Sequence, residues 1–317
     1  MQNPPSQTRQ TTASGALASV ASVQSGSNPS VIPPDWKLPV GVDRALWQYL
    51  HSSAHAGSYD TYLAQSPLAS ADVRLVFGFA DPLRHNLIDL GCGTGRMLEA
   101  WGIAGGTATG VDLSEPMLAQ AQAKMDKFKH KTESRHPGDS IGNGPNQPDG
   151  VAHGSITLSR ENLTSLDGIR DGSFDRACCL YSTLGMIRTR SARAQALRSF
   201  YRVLKPEGLL MVHAHNLWSN LWHPGGRRFL LGNLWGLVRG NDVARDFVNP
   251  THQGLSQLAL HMYSRSELGR DLRNAGFAID RILPLDHSGN PVKGWSSGLL
   301  SGLSSAGWFA VARKGSR

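Results

Sequence analysis

From residue 86 onward, short apolar runs alternate with longer amphipathic stretches, the pattern of buried strands joined by helices that lie across a parallel sheet. The runs fall at 87–90, 107–111, 156–158, 176–181, 209–213, 279–284 and 308–312, enough for one seven-stranded sheet. Between them, residues 116–128 are helix-like, and 193–204 sets Ala196, Leu197, Phe200 and Leu204 along one helical face. Ahead of the sheet, Leu46, Trp47 and Leu50 stand at helical spacing, followed by Tyr59, Tyr62, Leu63, Val73, Leu75 and Val76. Two or three helices are therefore expected within 36–85. The expected fold class is α/β, a seven-stranded, mostly parallel sheet with helices on both faces, filling residues 86–317.

Three segments depart from this rhythm. Residues 1–35 are rich in Ser, Gln, Asn, Pro and Thr, with Arg9 nearly the only charge before Asp35, and predict a disordered tail. They hold too little apolar surface to offset the entropy of ordering. Residues 130–155 (HKTESRHPGDSIGNGPNQPDGVAHGS) are rich in Gly, Pro, Asn and Asp and predict a mobile loop insertion. Residues 217–256 form a second insertion, with Trp218, Trp222, Trp235 and Phe229, and with Arg227, Arg228, Arg239 and Arg245. Its apolar positions 230, 231, 234, 235 and 238 describe one amphipathic helix.

Composition narrows the classes without choosing among them. A chain of 317 residues that is 40% hydrophobic can build a real core, and 35 Gly with 17 Pro imply many turns. Thirty-two Lys and Arg against 24 Asp and Glu give a net charge of +8, which favours anionic partners such as RNA, anionic lipid or acidic metabolites. Of the three cysteines, Cys178 and Cys179 are neighbours on a strand and point to opposite faces, so no disulfide framework is available with Cys92. No CxxC pair or HExxH pattern occurs, and no metal site is expected. The first thirty residues lack the basic start and apolar stretch of a signal peptide, and no run is long and apolar enough to span a bilayer. A soluble, cytoplasmic protein is expected.

The strongest chemical signal is NLIDLGCGTG at 86–95, where an apolar strand runs into Asp89, Gly91, Gly93 and Gly95 and a helix-like stretch follows. Alternate glycines allow positive backbone torsions and let the main chain approach a ligand with no side chain between. A dinucleotide fingerprint requires a small residue where this chain has Arg96, which argues against a nicotinamide cofactor. The next strand ends in TATGVDLS and puts Asp112 at its carboxyl tip, where a carboxylate can accept hydrogen bonds from both hydroxyls of a ribose.

With these residues in hand, the chain resembles the class I S-adenosylmethionine-dependent methyltransferases, whose first motif is an acidic residue followed by a GxGxG loop. DLGCGTGR matches that motif, VDLSEPMLAQAQAK is similar to the second strand and its helix, DGSFDRACCLYSTLGMI to the fourth strand, and RVLKPEGLLMVHAHN to the fifth. GWFAVARK resembles the closing strand. One departure is Glu207, where the family usually has a second glycine in the turn before the fifth strand.

The resemblance implies S-adenosylmethionine as cosubstrate, with no metal. Asp89, Gly91, Gly93 and Gly95 would surround its methionine part, and Asp112 with Leu113 its ribose. Asn162, beside Glu161, would meet the adenine amino group, with Leu163 against the ring and Leu180 near the sulfonium. Methyl transfer is a direct displacement that needs alignment and exclusion of water, and a base only when the acceptor must lose its proton early. Candidates for such a group are His215, His213 and Tyr181 at the ends of the fourth and fifth strands, where open α/β sheets hold their ligands. Residues 36–85 would cover the cosubstrate and 217–256 would cap the acceptor or simply pack over the sheet. A small-molecule acceptor is the first expectation. RNA, a lipid or quinone at a membrane surface, and an inactive methyltransferase-like binding protein remain the alternatives.

Overall fold

The computed structural model describes residues 32–133, 154–222, 224–239, 241, 246–249, 258–292 and 301–316. The expected tail falls mostly on 1–31 and the expected loop insertion mostly on 134–153, outside the described residues. Three helices open the described chain: α1 (Arg44–Leu50), α2 (Ser53–Ala64) and α3 (Pro67–Phe77). Each begins on a side-chain cap, with Asp43, Ser52 and Ser66 accepting from the amides of Leu46, His55 and Ala69. Such caps satisfy donors that the first helical turn leaves free.

The alternating part runs β1 (Leu87–Leu90), α4 (Arg96–Ile103), β2 (Ala108–Asp112), α5 (Glu115–Glu133), β3 (Ile156–Arg160) and β4 (Phe174–Cys179). It continues with α6 (Thr183–Met186), α7 (Arg190–Val203) and β5 (Leu204–His215). After a 3-10 stretch at Leu217–Trp222 come α8 (Pro224–Gly232), α9 (Leu234–Val238), β6 (Asp246–Asn249) and β7 (Leu258–His261). The chain then passes through α10 (Arg265–Asn274), β8 (Ala278–Leu285), α11 (Ser301–Ser304) and β9 (Gly307–Arg313).

The main sheet has the order β3-β2-β1-β4-β5-β9-β8. The first five strands are parallel, and β9 inserts antiparallel between β5 and β8. From β1 the chain builds outward to β3 and then returns to start β4 on the other side of β1. Helices leave the two carboxyl ends in opposite directions there and open a crevice. Alternate strand residues feed two cores. Ile88, Ala177, Cys179, Leu210 and Val212 join Leu197 and Phe200 of α7 on one face. Leu87, Cys178, Met211 and Phe309 join Leu98 and Trp101 of α4 and Val76 of α3 on the other. Cys178 and Cys179 thus fall on opposite faces, as their adjacency required.

Four features differ from the sequence reading or sharpen it. Strand β4 ends at Cys179, two residues short of the expected 181, because Tyr181 and Ser182 take left-handed torsions (φ 49° and 64°) and turn the chain. The small β6–β7 sheet is an addition, antiparallel from Asp246↔His261 to Asn249↔Leu258. The expected single helix through 230–238 is two helices broken at Asn233, whose side-chain and backbone N–H groups both donate to Phe229 O. A Gly232–Asn233 pair favours that interruption over continued helix. Glu207, the departure from the family pattern, adopts φ 62°, the torsion a glycine would take there without strain.

Candidate active site

Strand β1 ends in a turn that glycine alone accepts easily. Gly91, Gly93 and Gly95 have φ of 81°, 54° and 80°. The amides of Gly91 and Cys92 both donate to Val111 O, at 2.8 and 3.0 Å, which binds the turn to the end of β2. A Cβ on Gly91 would fall inside the van der Waals shell of Thr183 Cγ2, so packing and torsion both demand glycine there. Asp112 answers from the tip of β2: its Oδ2 accepts from Gly93 N at 2.9 Å and its Oδ1 from Ser114 N at 2.8 Å. Burial raises the carboxyl pKa of Asp112 above its ordinary value, while those amides pull it back.

Two chambers lie over this turn and share Tyr59, Gly91, Gly93 and Thr183 in their walls. The larger is lined by Asp112 at the end of β2, by Leu113, Asn162 and Leu163 just beyond the strand ends, and by Leu46, Tyr49, Leu50 and Val40 from the N-terminal segment. The smaller is lined by Asp89, Leu180, Tyr181 and Arg96. The N-terminal helices are tied down at three points: Ser114 Oγ donates to Leu50 O (2.5 Å), Thr94 Oγ1 to Asp60 Oδ1 (2.5 Å), and Asn162 Nδ2 to Val40 O (3.1 Å). Asn162 Oδ1 also accepts from Thr164 N, leaving one donor and one lone pair of its amide uncommitted. Of the nine residues expected around the cosubstrate, eight line a chamber. Gly95 does not; it starts α4 and packs against Ala121.

The smaller chamber carries the unusual electrostatics. Asp89 is 3% exposed, and burial pushes its carboxyl up to about 7, with the Cys178 thiol (3.3 Å) and Arg96 opposing the shift. Arg96 reaches Asp72 Oδ2 at 3.5 Å and also donates to Ala69 O. Tyr181 donates from its amide to Asp72 Oδ2 (3.1 Å) and from its hydroxyl to Ser66 Oγ (3.0 Å).

The histidines expected as candidate bases share one strand face, and their rings stack at 5.5 Å. Neither lines a chamber. His213 is fully buried with Nδ1 2.6 Å from Asp72 Oδ1. Burial, helped by neighbouring His213 and opposed by Asp72, pushes the His215 imidazole down to about 3. Tyr181 is the one member of that trio on a chamber wall. Among the described residues no group of three His, Cys, Asp or Glu could hold a metal ion. Nor is any described helix long and apolar enough to cross a membrane.

Comparisons with known proteins bear on the segment that holds this turn and carboxylate. The family model described as "Methyltransferase domain" matches residues 88–212. Residues 88–212 thus carry a methyltransferase domain, in keeping with the resemblance to the class I S-adenosylmethionine-dependent methyltransferases. The chain is similar to the YqeM protein of Bacillus subtilis, at 29% identity over 135 residues, which is 43% of this chain and 44% of that one. It is also similar to a ubiquinone biosynthesis O-methyltransferase of Pseudomonas savastanoi, at 25% identity over 206 residues, 64% of this chain and 68% of the relative. The chain spans under half the length of YqeM. In three dimensions it shares its fold with an S-adenosylmethionine-dependent methyltransferase of Methanosarcina mazei, with TM-score 0.53 and 20% identity over 77% of this chain and 98% of that one.

The chamber-lining residues that sequence reasoning missed are Val40, Val42 and Tyr49 of the cover with Met186 and Ile187 on the larger chamber, and Arg96 on the smaller. Tyr49 and Tyr59 both have phenol pKa values raised by burial, so they present neutral hydroxyls. Tyr59 and Leu50 were visible as apolar helix positions, but nothing in their spacing told a chamber wall from a core. Arg96 carried a signal, the cation that ends the glycine motif, which served only to exclude a dinucleotide.

Proposed function

We propose that this chain transfers the methyl group of S-adenosylmethionine to a small-molecule acceptor by direct displacement. One observation carries the reading: the glycine turn and the Asp112 carboxylate open onto a single chamber roofed by residues 40–59. The residues fit the nucleoside. Leu46, Leu50, Leu113, Met117 and Leu163 make an apolar slot suited to a purine. Each oxygen of Asp112 accepts one amide and keeps capacity for a ribose hydroxyl. The free donor and lone pair of Asn162 suit the polar edge of adenine. In the smaller chamber, Asp89 faces the cationic end of the methionine portion and Arg96 its carboxylate.

Bound S-adenosylmethionine supplies an electrophilic methyl carbon. The chain's own part is to orient and to exclude water. Tyr59, Leu180 and Tyr181 wall the place where an acceptor atom must line up with that carbon, and the ties at Leu50, Asp60 and Val40 hold the roof closed. His215, held neutral by burial and off the chamber wall, does not act as base in this reading. The name of the Pseudomonas relative, a ubiquinone biosynthesis O-methyltransferase, speaks against RNA and keeps a quinone as the second reading of the acceptor.

Calorimetry with S-adenosylmethionine tests the first step. Binding by the wild type is expected to weaken at least tenfold in Asp112→Ala, and an unchanged affinity would defeat the assignment. Radiolabelled cosubstrate offered to fractionated metabolite, RNA and lipid pools then reads the acceptor; transfer to RNA alone would overturn the small-molecule assignment, and binding without transfer to any pool would favour an inactive protein.

A further inference from the structure

We infer that the outer face of α8 and α9 docks onto an anionic lipid bilayer. Ten large apolar side chains stand exposed among the described residues, and five of them lie between 222 and 238: Trp222, Leu231, Leu234, Trp235 and Val238. Leu231 is 72% exposed, and Trp235 and Val238 are 70% exposed. A sixth, Leu303, is joined to the same patch because Trp222 Nε1 donates to its carbonyl at 2.5 Å. The inward side of the segment is already satisfied: Leu230 is buried with Leu217 and Met262, and Phe229 meets Phe247 edge-on at 5.3 Å. Leu234, Trp235 and Val238 keep helical spacing along α9, and Leu231 stands exposed in the last turn of α8, so the uncovered side chains cluster around the break between the two helices and are not scattered.

Charge identifies the occupant. Residues 217–241 contain Arg227, Arg228 and Arg239 and no Asp or Glu. All three arginines are exposed. Arg227 and Arg228 precede Leu231 by four and three residues and so flank it on one helix face. The Arg239 guanidinium stands 4.9 Å from the Trp235 ring centroid. Apolar side chains ringed by arginine, with tryptophans among them, are the makeup of a helix lying in the plane of a membrane interface: the hydrocarbon enters the acyl boundary and the guanidinium groups meet phosphates. A second copy of the chain fits less well, because a two-fold contact would set each arginine against its own kind. The segment leaves from the carboxyl end of β5, the edge on which the chambers open, so docking would present that edge to the bilayer. The docking itself stands on the exposed face and not on the reading of the site.

The test is co-sedimentation of the full chain with phosphatidylglycerol-containing vesicles and with pure phosphatidylcholine vesicles, at low and high salt. The wild type is expected to prefer anionic vesicles at least tenfold and to lose that preference in high salt, since each arginine near an anionic surface contributes about fivefold. Leu231→Ser with Trp235→Ser should lose at least tenfold in vesicle binding. Arg227→Ala with Arg228→Ala should lose the anionic preference and keep weak binding to both vesicles. Circular dichroism and S-adenosylmethionine affinity, measured on the same variants, report the fold and the site separately. Indifference of the wild type to anionic vesicles, or binding unaltered in both variants, overturns the inference. So does a wild-type dimer in sedimentation velocity that the Leu231/Trp235 pair dissolves without any vesicle binding.

Discussion

Titrating S-adenosylmethionine into the protein between pH 5 and pH 8 examines how Asp89 is held. Its carboxyl is buried and pushed up to about 7, so the free protein carries it mostly protonated below neutrality. A cation bound beside it favours the ionised form, and binding below pH 7 must expel the proton. The binding constant then follows the ionised fraction, about one in a hundred at pH 5 and nine in ten at pH 8, a rise of roughly ninety-fold. A carboxylate of ordinary pKa would change by less than about a tenth over the same range. Calorimetry in two buffers of different ionisation enthalpy should find about 0.9 proton released at pH 6 and about 0.1 at pH 8. Asp89→Asn keeps the shape and removes the titration, so any slope left in it belongs to the ligand. The sign for stability runs the other way. A folded-state pKa raised above the unfolded one contributes stability below pH 3.8, lost as pH rises through about 7. The ligand-free wild type should lose about 2–3 kcal/mol between pH 5 and pH 8 relative to Asp89→Asn. A flat wild-type affinity, or an equal slope in Asp89→Asn, would refute the account of Asp89.

Two further outcomes follow from the packing. Gly91→Ala should abolish detectable cosubstrate binding and cost about 1–3 kcal/mol in thermal unfolding, from the left-handed torsion and the Thr183 clash together. Adding Thr183→Ser removes the clashing methyl and should recover part of the stability but not all, since φ stays at 81°; full recovery would show that the torsion carries no cost. Arg188 joins Asp43 (3.2 Å), Ala259 O (2.8 Å) and the carboxylate of Asp246, linking the cap of α1 to the β6–β7 sheet. Arg188→Ala should cost about 2 kcal/mol in urea unfolding, because buried Asp246 loses its guanidinium and keeps His261 Nδ1 (2.8 Å); a loss under about 1 kcal/mol would show the contact to be incidental.

Periodicity alone determined the seven strands of the main sheet, most of them to within a residue or two, because a strand buried on both faces must be a short unbroken apolar run. Gly91, Gly93, Gly95 and Asp112 were legible for a related reason: a left-handed turn excludes side chains, and the second strand's length puts its carboxylate at the tip. What tertiary structure decided is everything that depends on elements distant in sequence. The roof over the larger chamber comes from residues 40–59 meeting 91–187, and no local pattern separates a leucine that faces a chamber from one that faces a core. His213 and His215 looked available at a strand end, yet α3 brings Asp72 against His213 and closes that side. Charge and burial are properties of the assembled neighbourhood, so the Asp89 carboxyl and the uncovered apolar patch on α8 and α9 could be recognised only once the chain had folded around them.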